Sequence, residues 1–283
     1  MAGLYTHVVE GTQYYKLPVE AWRRLLDDPA EVLRLCKDIM TADCASRKEL
    51  NDVYGWYYTG ANATQAQRTF EAHKQQGAEF VERLGTAGNK GSVCFTITRK
   101  MFWQLNDEVV AKTVKERDLL LLLWWMALHT IDGKRKGAKA IHNTTNADVW
   151  RRVAGFSNWA DCKAFRWNGD EAILKYMDKP ARYAARLRDD LMQKYDTFHA
   201  YATKGRRGWC FMFADIPRQR AFDMMAAHMA NRRSPKQKFK ADLADMKARA
   251  RAKAEGVEVI EAEVVEAPQQ AAGCMLERLL DSS

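Results

Sequence analysis

The run GDEAILKYMDKPARYAARLRDDLMQKYDTFHAYATKGRRGWCFMFADIP, residues 169–217, decides how this chain is read. A short helix over Asp170–Met177 is expected first. Asp178-Lys179-Pro180 then supplies a turn and sets proline at a first helical position, where its missing N–H costs nothing. A second helix is expected over Ala181–Lys194. Ala184, Leu187 and Leu191 fall on one of its faces, and Arg182, Tyr183, Arg186 and Gln193 lie on or beside the opposite one. Two β-type runs follow, Phe198–Thr203 and Trp209–Ile216, joined by the glycine-bracketed basic tip Lys204-Gly205-Arg206-Arg207-Gly208.

A helix of this kind keeps its apolar stripe on its own domain and aims long donors outward. Arg182 and Arg186, one turn apart on the free face, have the reach for guanine edges or phosphates. Tyr183 offers a phosphate hydrogen bond or a stacking surface, and Arg188 at the boundary suits a backbone contact. The glycines around Arg206 and Arg207, with Lys204 beside them, let a hairpin tip approach a phosphate strand or the minor groove. The blander account of the same helix is a solvated face whose arginines pair with Asp189 and Asp190. A competing helix-turn-helix placement over Asn146–Phe165 uses Arg151 and Arg152. There Trp159, Phe165 and Trp167 make the second helix look more like core.

In order and spacing, residues 169–217 resemble the winged-helix DNA-binding domains of phage and plasmid replication initiators and related regulators. The resemblance covers about a fifth of the chain and rests on a pattern, without a diagnostic motif. It implies binding of double-stranded DNA at repeated origin sequences and recruitment of host replication proteins. Some such initiators contain two winged-helix domains. An overlay of Tyr15–Leu25 on Phe95–Leu105 suits that, since each segment reads as a strand followed by a helix. The first half has no obvious basic hairpin.

The 283 residues are enough for two domains, and 47% hydrophobic content argues for a folded chain. A net charge of +9 favours an anionic partner, which nucleic acid or a negative membrane surface would satisfy. The strongest apolar run, Leu119–Leu128, is about half the roughly 20 residues a membrane span needs, so it reads as a buried helix. No secretory signal pattern opens the chain, and Cys36, Cys44, Cys94, Cys162, Cys210 and Cys274 are scattered without a Cys-x-x-Cys pair. A cytoplasmic protein with reduced thiols and no membrane contact is the expectation.

Elsewhere the pattern is helical. Gln13–Leu17 reads as a strand and Pro18–Leu26 as a helix, and Asp28-Pro29 caps a helix reaching Met40. Helices are expected over Ser46–Tyr57 and Thr64–Leu84, the latter weakened by Gly77, with a loop over 85–91. Lys112–Ile131 should be a central helix, with Thr113 as N-cap and Glu116 as its capping-box partner. Asn143–Asn146 is expected to cap a helix through Ala154, and Ser157 or Asn158 another through Phe165. A Met-rich helix is expected over Ala221–Ala230.

Charge then changes sign. Residues 204–253 hold 14 Lys or Arg against 4 Asp, and residues 254–283 hold 7 acidic residues against Arg278. Four regions follow: a helical domain over 1–90 (or a degenerate winged helix), a winged-helix-like domain over 91–230, a basic helical extension over 231–255, and an acidic disordered tail over 256–283. Within the tail, Met275, Leu276, Leu279 and Leu280 sit at helical spacing. They read as a docking peptide for a partner such as host replication proteins, or as a surface packing on its own domain or a twin chain in a homodimer.

No catalytic constellation is evident. Gly85–Ser92 lacks the adjacent Lys-Ser or Lys-Thr of a phosphate loop and precedes a strand. The six histidines lack metal-ligand spacing, so no metal or cofactor is expected. The expected fold is mainly α with small β-hairpins (α+β). The expected function is double-stranded DNA binding without chemistry, in replication initiation or an accessory role for a phage or plasmid. The alternatives are a winged-helix transcriptional regulator and a non-enzymatic helical scaffolding protein with a basic tail.

Overall fold

The computed structural model describes residues 6–9, 12–86, 94–132, 141–156, 158–168, 171–202, 208–231, 243, 246 and 247. It is mainly helical with two small antiparallel sheets. By contacts the chain divides into Met1–Met229 and Ala230–Ser283. Of the second unit, Leu243, Met246 and Lys247 are helical and exposed.

The first sheet has the order β1-β2-β3, from Thr6–Val9, Thr12–Pro18 and Cys94–Thr98. β2 pairs with β3 in a register that sets Tyr15 opposite Ile97 and Leu17 opposite Phe95, all four buried. Strands on either side of the expected boundary near residue 90 thus pair with each other. Each of these strands leads into a helix, α1 (Val19–Trp22) after β2 and α5 (Arg99–Val110) after β3. The two segments suggested as a repeat are thus antiparallel neighbours. Their helices differ in length. Thr98 caps α5 by accepting from the Met101 amide at 3.1 Å. Pro18 offers no side-chain cap, and the helix expected to reach Leu26 gives way after Trp22 to turns over 23–27.

α2 (Pro29–Ala42) begins where the sequence predicts, with the Asp28 carboxylate accepting from the Glu31 amide at 3.0 Å. After α3 (Arg47–Tyr54), α4 (Ala63–Thr86) packs against α2 and runs unbroken through Gly77. At Gly77 the two backbones approach so closely that a Cβ there would lie 2.0 Å from the Asp38 carbonyl oxygen. Asp38, 1% exposed, accepts from Arg34 at 2.8 Å and lies 2.6 Å from His73 Nδ1. It joins the two helices at that crossing.

α6 (Glu116–Asp132) is the central helix, and every residue from Leu119 to Leu128 is buried. It starts later than expected. Lys112 takes a positive φ of 55°, and Thr113 turns back on α5, its amide donating to the Glu108 carbonyl at 2.9 Å and its hydroxyl at 3.2 Å. The Thr113–Glu116 capping box is not formed, because Thr113 closes the preceding helix instead.

The second sheet has the order β4-β6-β5, from His142–Thr144, Trp209–Phe213 and Phe198–Tyr201. β4 occupies residues expected to act only as a helix cap. The cap of α7 (Asn146–Val153) is Thr145, whose hydroxyl accepts from the Asp148 amide at 3.0 Å. α8 (Trp159–Asn168) is capped by Asn158, which accepts from the Asp161 amide at 2.9 Å. α9 (Ala172–Met177) and α10 (Ala181–Lys194) lead into β5, and α11 (Arg218–Asn231) follows β6, starting one turn earlier than expected. The run Trp209–Phe213 is apolar throughout because β6 is central and covered on both faces. Trp209 and Phe211 belong to the main core, whereas Cys210 and Met212 pack with Ala221, Met225 and Met229 of α11.

Candidate functional site

α10 is the span that the apolar spacing predicts. Ala184, Leu187 and Leu191 are at most 2% exposed, against α6 and β5, and Arg182, Arg186, Asp189 and Gln193 are exposed. The flanks of the helix are occupied. Asp190 forms an ion pair with Arg117 of α6, and Lys194 lies 3.8 Å from Asp118. Tyr183 is half-buried, its ring 5.8 Å from that of Tyr176 on α9. Burial pushes both phenols above their ordinary pKa. A hydrogen bond to Glu116 adds to the rise at Tyr176, and Arg117 opposes it at Tyr183. Tyr183 is therefore a flank residue rather than part of the open face.

These flank contacts leave the arginines of the outer face unneutralised. Asp190 is turned to α6, and the pairing with Asp189 and Asp190 that the blander account requires is not seen at Arg182 or Arg186, which among the described residues make no ion pair or hydrogen bond. Two guanidinium groups one helical turn apart, without a carboxylate partner, are suited to an anionic surface. Arg188 is placed differently. Its guanidinium lies 4.9 Å over the Trp209 ring at the start of β6. Burial presses its pKa below the ordinary arginine value, and Asp189 acts in the opposite direction.

β5 ends at Tyr201, earlier than expected, and β6 ends at Phe213, also earlier, because 215–216 bend towards Pro217 and α11. The strands pair with Phe198 opposite Phe213 and Tyr201 opposite Cys210. Gly208 enters β6 with φ +90°, and a Cβ on it would lie 2.8 Å from the Thr144 carbonyl oxygen. A glycine is required there both by the left-handed backbone and by the close approach to β4. The tip residues Lys204, Arg206 and Arg207 lie outside the described residues, as do Met275, Leu276, Leu279 and Leu280.

In the competing placement over Asn146–Phe165, Arg151 is held by other groups, and Arg152 is half-buried beside it, with burial and the Arg151 charge lowering its pKa. Arg151 is 9% exposed, donates to the Phe156 carbonyl at 2.9 Å, and lies 3.6 Å from Asp148 and 5.6 Å over the Trp159 ring. It braces the turn between α7 and α8. Trp159, expected in the core, is 38% exposed. Phe165 is partly buried, with the Arg23 guanidinium 4.8 Å over its ring. The side chain of Trp167 lies outside the described residues.

Two residues of the site carry no signal in the sequence. Asn146 accepts a hydrogen bond from the Trp209 indole at 3.0 Å across 63 positions, and Arg117 reaches Asp190 across 73. Among the described residues, no group of three His, Cys, Asp or Glu side chains is placed to hold a metal ion. No helix among them is long and apolar enough to cross a membrane.

No known protein family, curated protein or solved structure matches this chain.

Proposed function

We propose that this protein binds double-stranded DNA through the outer face of α10 and the β5–β6 hairpin, in a winged-helix arrangement. The observation that carries the proposal is the exposed pair Arg182 and Arg186. Among the described residues it has no carboxylate partner, and it stands on a helix whose other face is buried and which leads directly into a hairpin with a basic tip. The strand order β4-β6-β5 with α10 preceding the hairpin supports the same arrangement. Two further helices, α8 and α9, stand between α7 and α10, where a helix-turn-helix has only a short turn. The preferred role is replication initiation or an accessory function for a phage or plasmid, by the resemblance of residues 169–217. A transcriptional regulator would use the same contacts.

The test is equilibrium binding of labelled duplex fragments by fluorescence anisotropy. Arg182→Ala and Arg186→Ala should each weaken binding by about 1–3 kcal/mol if the side chain reads a base edge. Unaltered affinity in the double variant would overturn the assignment of α10. Sequencing of fragments selected from the source genome separates the roles. Repeats near an origin mean replication, and promoter sites mean regulation.

A further inference from the structure

We infer that Trp209 is a positioning residue that holds Arg188 as a preset backbone-phosphate contact at the junction of α10 and the hairpin. The inference rests on the DNA-binding reading of α10 and adds a second residue class to it, one that sets spacing rather than reads bases.

Trp209 is 1% exposed, and three elements meet at its indole. Its Nε1–H donates to Asn146 Oδ1 at 3.0 Å, which ties the start of β6 to the first turn of α7. Its ring carries the Arg188 guanidinium at 4.9 Å, which ties the same strand to the middle of α10. It also packs against Phe211, with the two rings tilted and their centroids 5.6 Å apart. The residue before it is Gly208, so this indole stands at the base of the hairpin tip.

Arg188 has no ion-pair partner among the described residues, and it sits on a ring face rather than a carboxylate. An arginine held by an aromatic face keeps its full charge and its planar fork of donors, and it loses less rotamer freedom on meeting a phosphate. A carboxylate in that position would have neutralised it. Trp209 thus fixes where a charge stands relative to both α10 and the hairpin, and phosphate contacts of this kind set register on a duplex.

The experiment measures duplex affinity against salt concentration for the full chain and its variants. Arg188→Gln should lower affinity severalfold and reduce the slope of log Kobs against log salt by about one. Trp209→Leu should do the same, and Arg188→Gln should add nothing when Trp209 is already leucine. An unchanged slope in Arg188→Gln overturns the inference, and so does additivity of the two changes. If Trp209→Leu loses its helical circular dichroism, Arg188→Lys decides. That variant keeps the charge and loses the flat stack, so severalfold weaker binding at an unchanged slope supports the role of Trp209. Wild-type affinity in Arg188→Lys overturns it. Loss of binding in Arg182→Ala and Arg186→Ala with no effect at Arg188 leaves the α10 reading standing and removes this one. No duplex binding by the unaltered chain removes both.

Discussion

Gly77→Ala sets two known effects against each other, and the structure decides between them. In an exposed helix interior alanine would be favoured over glycine by about 1 kcal/mol. At position 77 the new methyl would stand 2.0 Å from the Asp38 carbonyl oxygen and 2.4 Å from its carbon, whereas ordinary contact begins at 3.4 Å. Both obstacles are backbone, so no side chain can swing away. The missing 1.4 Å (3.4 minus 2.0) has to come from separating α2 and α4. A gap of even about 0.5–1 Å forfeits a quarter to a half of the dispersion attraction of the atoms that face it. Val32, Leu33, Cys36, Ile39 and Met40 are buried on α2, with Ala66 and Phe70 on α4. The 2.6 Å contact between His73 and the buried Asp38 spans the same two helices and would open with them. Overpacking of this kind costs about 1–3 kcal/mol, and a weakened hydrogen bond about 1 kcal/mol more. After the gain in propensity, Gly77→Ala should destabilise by about 2 kcal/mol. Urea unfolding followed by far-UV circular dichroism reads this as a midpoint lowered by about 0.7 M at an m-value of about 3 kcal/mol/M. Gln75→Ala, at an exposed position on the same helix, should change stability by no more than about 0.5 kcal/mol. A Gly77→Ala midpoint equal to or above wild type would show that propensity outweighs the clash and would refute the reasoning.

His129 lies between the rings of Trp125 and Phe213, at 3.8 and 3.9 Å, with its Nε2 unpartnered, and burial lowers its pKa to about 3. The unfolded chain takes up a proton here near pH 6.5 and the folded chain does not. The stability present above pH 6.5 is therefore lost as pH falls, by up to about 1.4 kcal/mol per unit, and unfolding midpoints at pH 6.5 and 5 should differ less in His129→Phe than in wild type. Gly208→Val places a branched side chain at φ +90° against the Thr144 carbonyl, so the thermal midpoint should fall and amide exchange at Thr144 should quicken. Asp28→Ala removes the acceptor of the Glu31 amide and should cost about 1 kcal/mol by urea unfolding.

Much of the fold is legible wherever the controlling interaction is local. Asp28 and Pro29 announce the start of α2, and the spacing of Ala184, Leu187 and Leu191 marks the buried face of α10. Each depends on residues within a few positions of one another. The errors have the opposite character. Thr113 and Glu116 have capping-box spacing, but whether the box forms depends on what the preceding helix does with Thr113. β4 is three residues long and exists as a strand only because β6 lies beside it. Gly77 looks like a weak point in a helix until α2 is placed across it.

The candidate site divides in the same way. The sequence alone determined which helix turns its arginines outward, because helical periodicity is a property of consecutive residues. It also determined that the hairpin tip is basic and bounded by glycine. Only the tertiary structure decided which of those charges stay unneutralised. Asp190, four residues from Arg186, is claimed by Arg117 of α6, and Arg188 is carried on Trp209 from β6. Those partners are 73 and 21 positions away in the chain, and no local pattern encodes a contact made when separate elements pack around a shared core.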